Sequence, residues 1–426
     1  MRRRNFILST LATATLAACG DSSSPVEAKN QYSQTNLVAN RALYKAKFTE
    51  PEFVDAWGIA IRPAGAGGHF WVGAGGFSWQ YLGDVSQSAT SSLRSLTQDD
   101  LKKVTLPGAD SLSGDTSQGK VTGVVFNGAP LAATPISNTL FRVTTQTVGN
   151  TRFDGSARFI FVTDSGVVSA WTDRAVDGST VRKDGPAATV FDGSAQGMAL
   201  FGCAVKTDTW DRLWLADFGR DPKIRTLNAQ WQEVPTVGFV NPFTSGPNGT
   251  AKPGDAVPFN IQVVQNRVFV LFATSQADPE DAAAFYAAEE NAMDAKAEAA
   301  TGNQPNRGKL VEYTLEGVRV RIYDDARRLN APWGVAIAPP DFGKLAGAVL
   351  VGNFGGAGRI SAFSGTTGAY LDDLRATDGK PVAIAGLWAL QFGNGESLGD
   401  ANALYFAAGP EDEADGLFGA LRYAPV

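Results

Sequence analysis

The sequence predicts an all-β fold, a six-bladed β-propeller closed by an N-terminal strand that completes the last blade, with a helical insertion in blade 4. Three observations predict it. Pairs of apolar runs with a common pattern recur six times along the chain. Each pair is followed by two more polar runs, which makes the four strands of a propeller blade. The sixth unit is one run short, and an unassigned run precedes the first unit.

The pairs begin near Trp57 (WGIAI, then FWVGA), Val121 (VTGVVFN, then RFIFVT), Gly197 (GMALFG, then RLWLA), Phe259 (FNIQVV, then RVFVLFA), Trp333 (WGVAIAP, then AVLVG) and Leu387 (LWALQFG, then ALYFAA). Steps of 64, 76, 62, 74 and 54 residues between these starts describe one supersecondary unit with loops of variable length. The runs are nearly continuously apolar and do not alternate, as expected of strands covered on both faces by neighbouring blades. After the third run of the last unit, GLFGALRY, the chain ends, and TNLVAN at 35–40 can supply the fourth strand. That pairing joins the two ends and leaves no open sheet edge. Gly355-Gly356-Ala357-Gly358 and Gly73-Ala74-Gly75-Gly76 supply turn conformations. No helix pattern and no GK[ST] follow them, so they are not phosphate loops.

Two stretches interrupt the repeat. Residues 277–307 are rich in Ala and Glu, with Asp278-Pro279-Glu280 as a start and Gly302 as a stop, and predict a helix of about 20 residues. Residues 78–117 read as a long loop with a short helix near 93–104.

The N-terminus reads as an address. Residues 1–4 are basic, residues 6–18 are apolar but too short to span a bilayer, and Leu16-Ala17-Ala18-Cys19 follows. The last four resemble the bacterial lipobox, which implies cleavage after residue 18, lipidation of Cys19 and stable anchoring by two or more acyl chains. Arg3-Arg4-Asn5-Phe6-Ile7 resembles a twin-arginine export signal, and Sec export is the other route. Polar, Ser-rich residues 19–34 form a tether, leaving 35–426 as a single propeller domain. The expected location is the cell envelope, periplasmic or surface-exposed, on the inner or the outer membrane.

The chemistry is bounded by what is scarce. A net charge of −6 gives no basic footprint for nucleic acid. With His69 as the sole histidine, neither a His-rich zinc site nor a Ser-His-Asp triad is expected. Beyond Cys19 only Cys203 remains, within the apolar run MALFGC, so no disulfide framework forms and the thiol reads as buried. Oxygen ligands remain. Asp55, Asp217, Asn260 and Asn353 come from different blades and are expected to converge on the axis, and carboxylates with amide carbonyls suit Ca²⁺. Asn330, Asp164 and Gln196 are expected at the channel mouth.

Asn330-Ala331-Pro332-Trp333-Gly334, Val351-Gly352-Asn353-Phe354-Gly355, Gly386-Leu387-Trp388 and Gly409-Pro410-Glu411 with Gly416-Leu417-Phe418-Gly419 resemble motifs of a bacterial family of exported, conserved hypothetical proteins. That family is similar to NHL-type propellers. The resemblance runs over the whole mature chain and implies a propeller without implying an activity. The axial oxygen ligands also resemble the metal site of six-bladed lactonases and phosphotriesterases. The expected function is therefore a lipid-anchored, monomeric binding module for a small molecule or protein, with a Ca-dependent lactonase-like hydrolase as the alternative.

Overall fold

The computed structural model describes residues 29–109, 119–277, 285–287 and 307–425. Val, Phe, Ala and Leu are the commonest residues of the strands, and Val and Phe suit packing on pleated surfaces. From axis to rim, blade 1 contains Ile59–Ala60, Phe70–Ala74, Phe77–Tyr81 and Lys103–Thr105, and blade 2 contains Val121–Phe126, Phe159–Thr163, Val167–Trp171 and Ala188–Asp192. Blade 3 contains Leu200–Val205, Arg212–Asp217, Lys223–Asn228 and Glu233–Val234. Blade 4 contains Ala256–Val264, Arg267–Ala277, Gly308–Tyr313 and Arg319–Ile322, and blade 5 contains Pro332–Ile337, Val349–Asn353, Ile360–Phe363 and Tyr370–Asp373. The inner strands touch one another in sequence around the axis, with blade 6 returning to blade 1.

Blade 6 contains Leu387–Phe392, Ala403–Ala408, Leu417–Tyr423 and, outermost, the N-terminal strand Tyr32–Ala39. That last strand lies antiparallel to Leu417–Tyr423, with Thr35 opposite Ala420 and a bulge between Asn36 and Val38. Phe48–Thr49 then runs parallel to its far edge. The two ends of the described chain thus share one sheet.

The second strands are the most deeply buried, and FWVGA, FIFVT and ALYFAA are covered at every position. Their side chains fill the spaces between blades. Ile160 and Val162 meet Leu213 and Leu215 between blades 2 and 3, while Leu350 meets Leu390 and Phe406 between blades 5 and 6. Full burial of each such side chain is worth about 1.5–3 kcal/mol.

Neither insertion forms an α-helix among the described residues. In 277–307, Phe285–Ala287 is a strand antiparallel to Ser275–Ala277. The long strand Arg267–Ala277 outruns its partners in blade 4, whose ladders stop at Thr274 and Ala273. The overhang pairs with the Phe-Tyr segment, and a tertiary edge there outweighs the local preference of an Ala-rich sequence. Most of the expected helix lies outside the described residues. In 78–117, Ser91–Leu93 is one 3-10 turn and Lys103–Thr105 is the outer strand of blade 1. Residues 1–28, with Cys19, also lie outside the described residues.

Candidate functional site

The inner strands are in register around the axis. Trp57, Thr122, Phe201, Phe259, Trp333 and Trp388 occupy one level, one from each blade. Five are aromatic and meet across the axis. Trp57 stacks on Trp388 with ring centroids 3.5 Å apart, and it lies 5.6 Å from Phe201 and 6.2 Å from Trp333. The Trp333 Nε1–H donates to the Phe201 carbonyl at 2.7 Å, from blade 5 to blade 3. These rings plug the channel and divide it into two ends.

The level above is small, with Gly58, Gly123, Gly202, Gly334 and Ala389, and only Asn260 departs from this. A Cβ on Gly202 would stand 1.9 Å from Asn260 Oδ1. This glycine gives Asn260 room to donate from Nδ2 to the Trp333 carbonyl at 2.7 Å while its Oδ1 accepts from the Ile261 N–H.

At the end where the inner strands begin, charges gather. Asp55 has a left-handed φ of 45° and is 5% exposed, and no donor meets its carboxylate oxygens in hydrogen-bond geometry. The Trp57 indole approaches without bonding geometry. The Lys120 ammonium stands 3.9 Å away and also touches Glu413. Burial, then the Glu413 charge, hold the Asp55 carboxyl well above the usual carboxylate range, against the pull of Lys120. Burial works against the Lys120 charge, yet Asp55 and Glu413 raise its pKa above that of an ordinary lysine. Glu411, Asp412 and Glu413 have φ of 55°, 53° and 65°, three successive non-glycine residues in a region costing each about 1–2 kcal/mol. This strained turn sets Glu413 over Lys120, where a fully solvated acidic loop would not reach.

The other sequence-predicted oxygens are engaged by the protein itself. Asp164 accepts the Lys120 backbone N–H at 2.6 Å, and burial raises its pKa. Asp217 accepts from Ala199 N, Gly219 N and Arg225 Nε, the last at 2.6 Å, and burial outweighs the arginine to raise its pKa. Asn353 accepts the Asn330 N–H through Oδ1 and donates through Nδ2 to the Arg359 carbonyl. Asn330 is fully buried, and its side-chain amide has no hydrogen-bond partner. Gln196 is exposed on the 3-10 turn Ser194–Gln196. Asp55 and Asp164 are brought together around Lys120, and Asn330 and Asn353 are neighbours, while Asp217 and Asn260 stand with other partners. Among the described residues, no three His, Cys, Asp or Glu side chains are grouped to hold a metal ion. The cation at Asp55 and Glu413 is Lys120 itself.

The opposite end, where the inner strands finish, opens into a cavity of about 910 Å³. Its wall is a ring with one residue from each blade, Ile59, Val124, Cys203, Ile261, Val335 and Leu390, and Trp333 and Asn260 contribute at the plug end. The next level adds Gln262 and Gln391 at equivalent positions of blades 4 and 6, on either side of Ala336 of blade 5. Among the described residues, no Asp, Glu, Lys, Arg or His lines it. Burial pushes the Cys203 thiol far above its ordinary pKa, which withholds the thiolate. Sequence reasoning missed this cavity. Its signal was the pair of glutamines at matched places in FNIQVV and LWALQFG, two amides inside otherwise apolar runs.

No family model matches the chain. Three proteins of Acanthamoeba polyphaga mimivirus, each named only as uncharacterized, are similar to it. One is 30% identical over 211 residues, 50% of this chain and 46% of that protein. The others are 34% identical over 119 residues, 28% and 30% of the two chains, and 27% identical over 191 residues, 45% and 30%. The chain thus spans less than half the length of these curated relatives. These relatives are viral, which corrects the expectation of a bacterial exported family. Physical constraints on the blade account for the motifs behind that expectation: Gly334 lies against the Trp388 carbonyl and Gly355 against the Asn330 side chain, and neither leaves space for a Cβ. Among solved structures, a gluconolactonase from Xanthomonas campestris matches with 13% identity over 74% of this chain and 97% of that one, at a TM-score of 0.33. The WD40 β-propeller domain of Doa1 matches with 9% identity over 87% and 93%, at a TM-score of 0.38.

Proposed function

We propose that the chain is a ligand-binding propeller that takes a small molecule into the axial cavity and does not transform it. One observation carries this reading. The cavity is closed on one side by the aromatic plug, and among the described residues its six-blade wall has no carboxylate, amine, guanidinium or imidazole. General acid–base chemistry needs a group that gains or loses a proton within reach of the ligand. Apolar walls with a few placed polar groups are instead what binding sites use. A Ca-dependent lactonase-like hydrolase is the alternative, and it has less support because Asp217, Asn260 and Asn353 each bond to a protein group.

The test is a thermal-shift screen of the purified chain against charged and uncharged small molecules, repeated on Gln391→Trp, which fills the cavity mouth from a half-buried position. Stabilising compounds that lose their effect in the variant support the reading. Compounds that stabilise both proteins equally, or a calcium-dependent shift after chelation, count against it. We further propose attachment to a membrane through Cys19, supported by the leader of residues 1–18. Mass spectrometry of the N-terminal peptide would find a lipidated Cys19, and an unmodified Met1 would refute the attachment.

A further inference from the structure

Resting on the cavity reading, we infer that the ligand is an uncharged molecule with an apolar body and one group that both donates and accepts a hydrogen bond, such as a carboxamide. The apolar body meets the ring from Ile59 to Leu390, which offers no hydrogen-bonding side chain apart from the Cys203 thiol. The polar group meets the two glutamines. Gln262, in the cavity wall, uses Oε1 to accept the Val335 N–H at 3.4 Å, and this leaves its Nε2 hydrogens and the second Oε1 lone pair. Gln391 donates through Nε2 to the Phe392 carbonyl at 3.0 Å, and this leaves its Oε1 and the second Nε2 hydrogen. Both amides line the cavity, and each keeps a donor and an acceptor. A carboxamide, itself donor and acceptor, can use both capacities of either amide. A carboxylate only accepts and an ammonium only donates, so each leaves half of an amide's capacity unused. Either charge would also leave water for a wall that holds no counter-ion.

A matched trio with one aromatic body tests this: naphthamide, naphthoate and naphthylmethylammonium, titrated into the purified chain near neutral pH by calorimetry. The expected result is binding of naphthamide at least tenfold tighter than either ion. Naphthamide is also expected to bind more tightly than unsubstituted naphthalene, and in Gln262→Leu/Gln391→Leu, with folding checked by its melting curve, that difference is expected to vanish. Naphthoate or naphthylmethylammonium binding as tightly as naphthamide would overturn the inference and leave the cavity reading standing. If none of the three binds, the inference fails. The cavity reading falls with it only if the wider screen, which includes ions, also finds no compound sensitive to Gln391→Trp.

Discussion

The Trp333 Nε1–H donates to the Phe201 carbonyl at 2.7 Å across the axis, tying blade 5 to blade 3 through the centre of the ring. The Trp57 ring of blade 1 also reaches Phe201 of blade 3 and Trp333 of blade 5, so non-adjacent blades meet directly at this level. This bond, with the stacked Trp57 and Trp388, makes the axis a core in its own right.

Trp333→Phe keeps a ring at this level and removes the donor. The Phe201 carbonyl is left without its indole partner, at an expected cost of about 1–3 kcal/mol. Denaturant unfolding of parent and variant would read the loss. A cost near zero would mean that the bond contributes nothing to closure.

Asp55 makes stability depend on pH in a stated direction. Its folded carboxyl titrates above the ordinary value, so its contribution is fully present below about pH 4 and is lost as pH rises through the raised folded value. Asp55→Asn removes this loss. The variant should be more stable than the parent at pH 7, by on the order of 1 kcal/mol, and the gain should vanish at pH 4. A variant less stable than the parent at pH 7 would show that the Asp55 charge is needed by Lys120.

Lys120→Met takes the opposite charge from the same cluster. Asp55, Glu413 and Asp164 would then face one another without their ammonium, costing about 3–5 kcal/mol near neutrality. The loss should shrink on acidification as the carboxyls take up protons. Equal losses at pH 4 and pH 7 would assign the effect to packing.

Gly202→Ala drives a methyl into Asn260, whose Oδ1 stands 1.9 Å from the new atom. The inner strands of blades 3 and 4 must part, or Asn260 must release the Trp333 carbonyl. Overpacking of this kind costs about 1–3 kcal/mol. A melting temperature unchanged from the parent would show that the strands yield freely.

The repeat was readable because every blade poses the same packing problem. Trp57, Trp333 and Trp388 recur at one level, and Gly58, Gly123, Gly202 and Gly334 recur beside them, where adjacent backbones leave no room for a side chain. The candidate site was less readable, since its partners come from other blades. The Arg225 beside Asp217 and the Lys120 beside Asp55 carry no sign in the sequence that they, and not a metal ion, meet those carboxylates. The Phe285–Ala287 strand was hidden for a related reason, because its preference is decided by the overhanging edge of Arg267–Ala277. The cavity went unread because an apolar run that lines a channel looks the same as one that fills a core.

The most direct test of an uncharged binding site is the affinity of naphthamide measured at about pH 5, 7 and 9 for the parent chain and for Gln391→Trp. The range spans the ordinary titrations of histidine and of a free thiol. Because the described wall has no ionisable group apart from a Cys203 thiol held far above its usual pKa, the dissociation constant should be the same at all three values, and binding should be lost in the variant. An affinity that follows a titration between them, or one that survives in Gln391→Trp, would contradict the assignment of the ligand to this cavity.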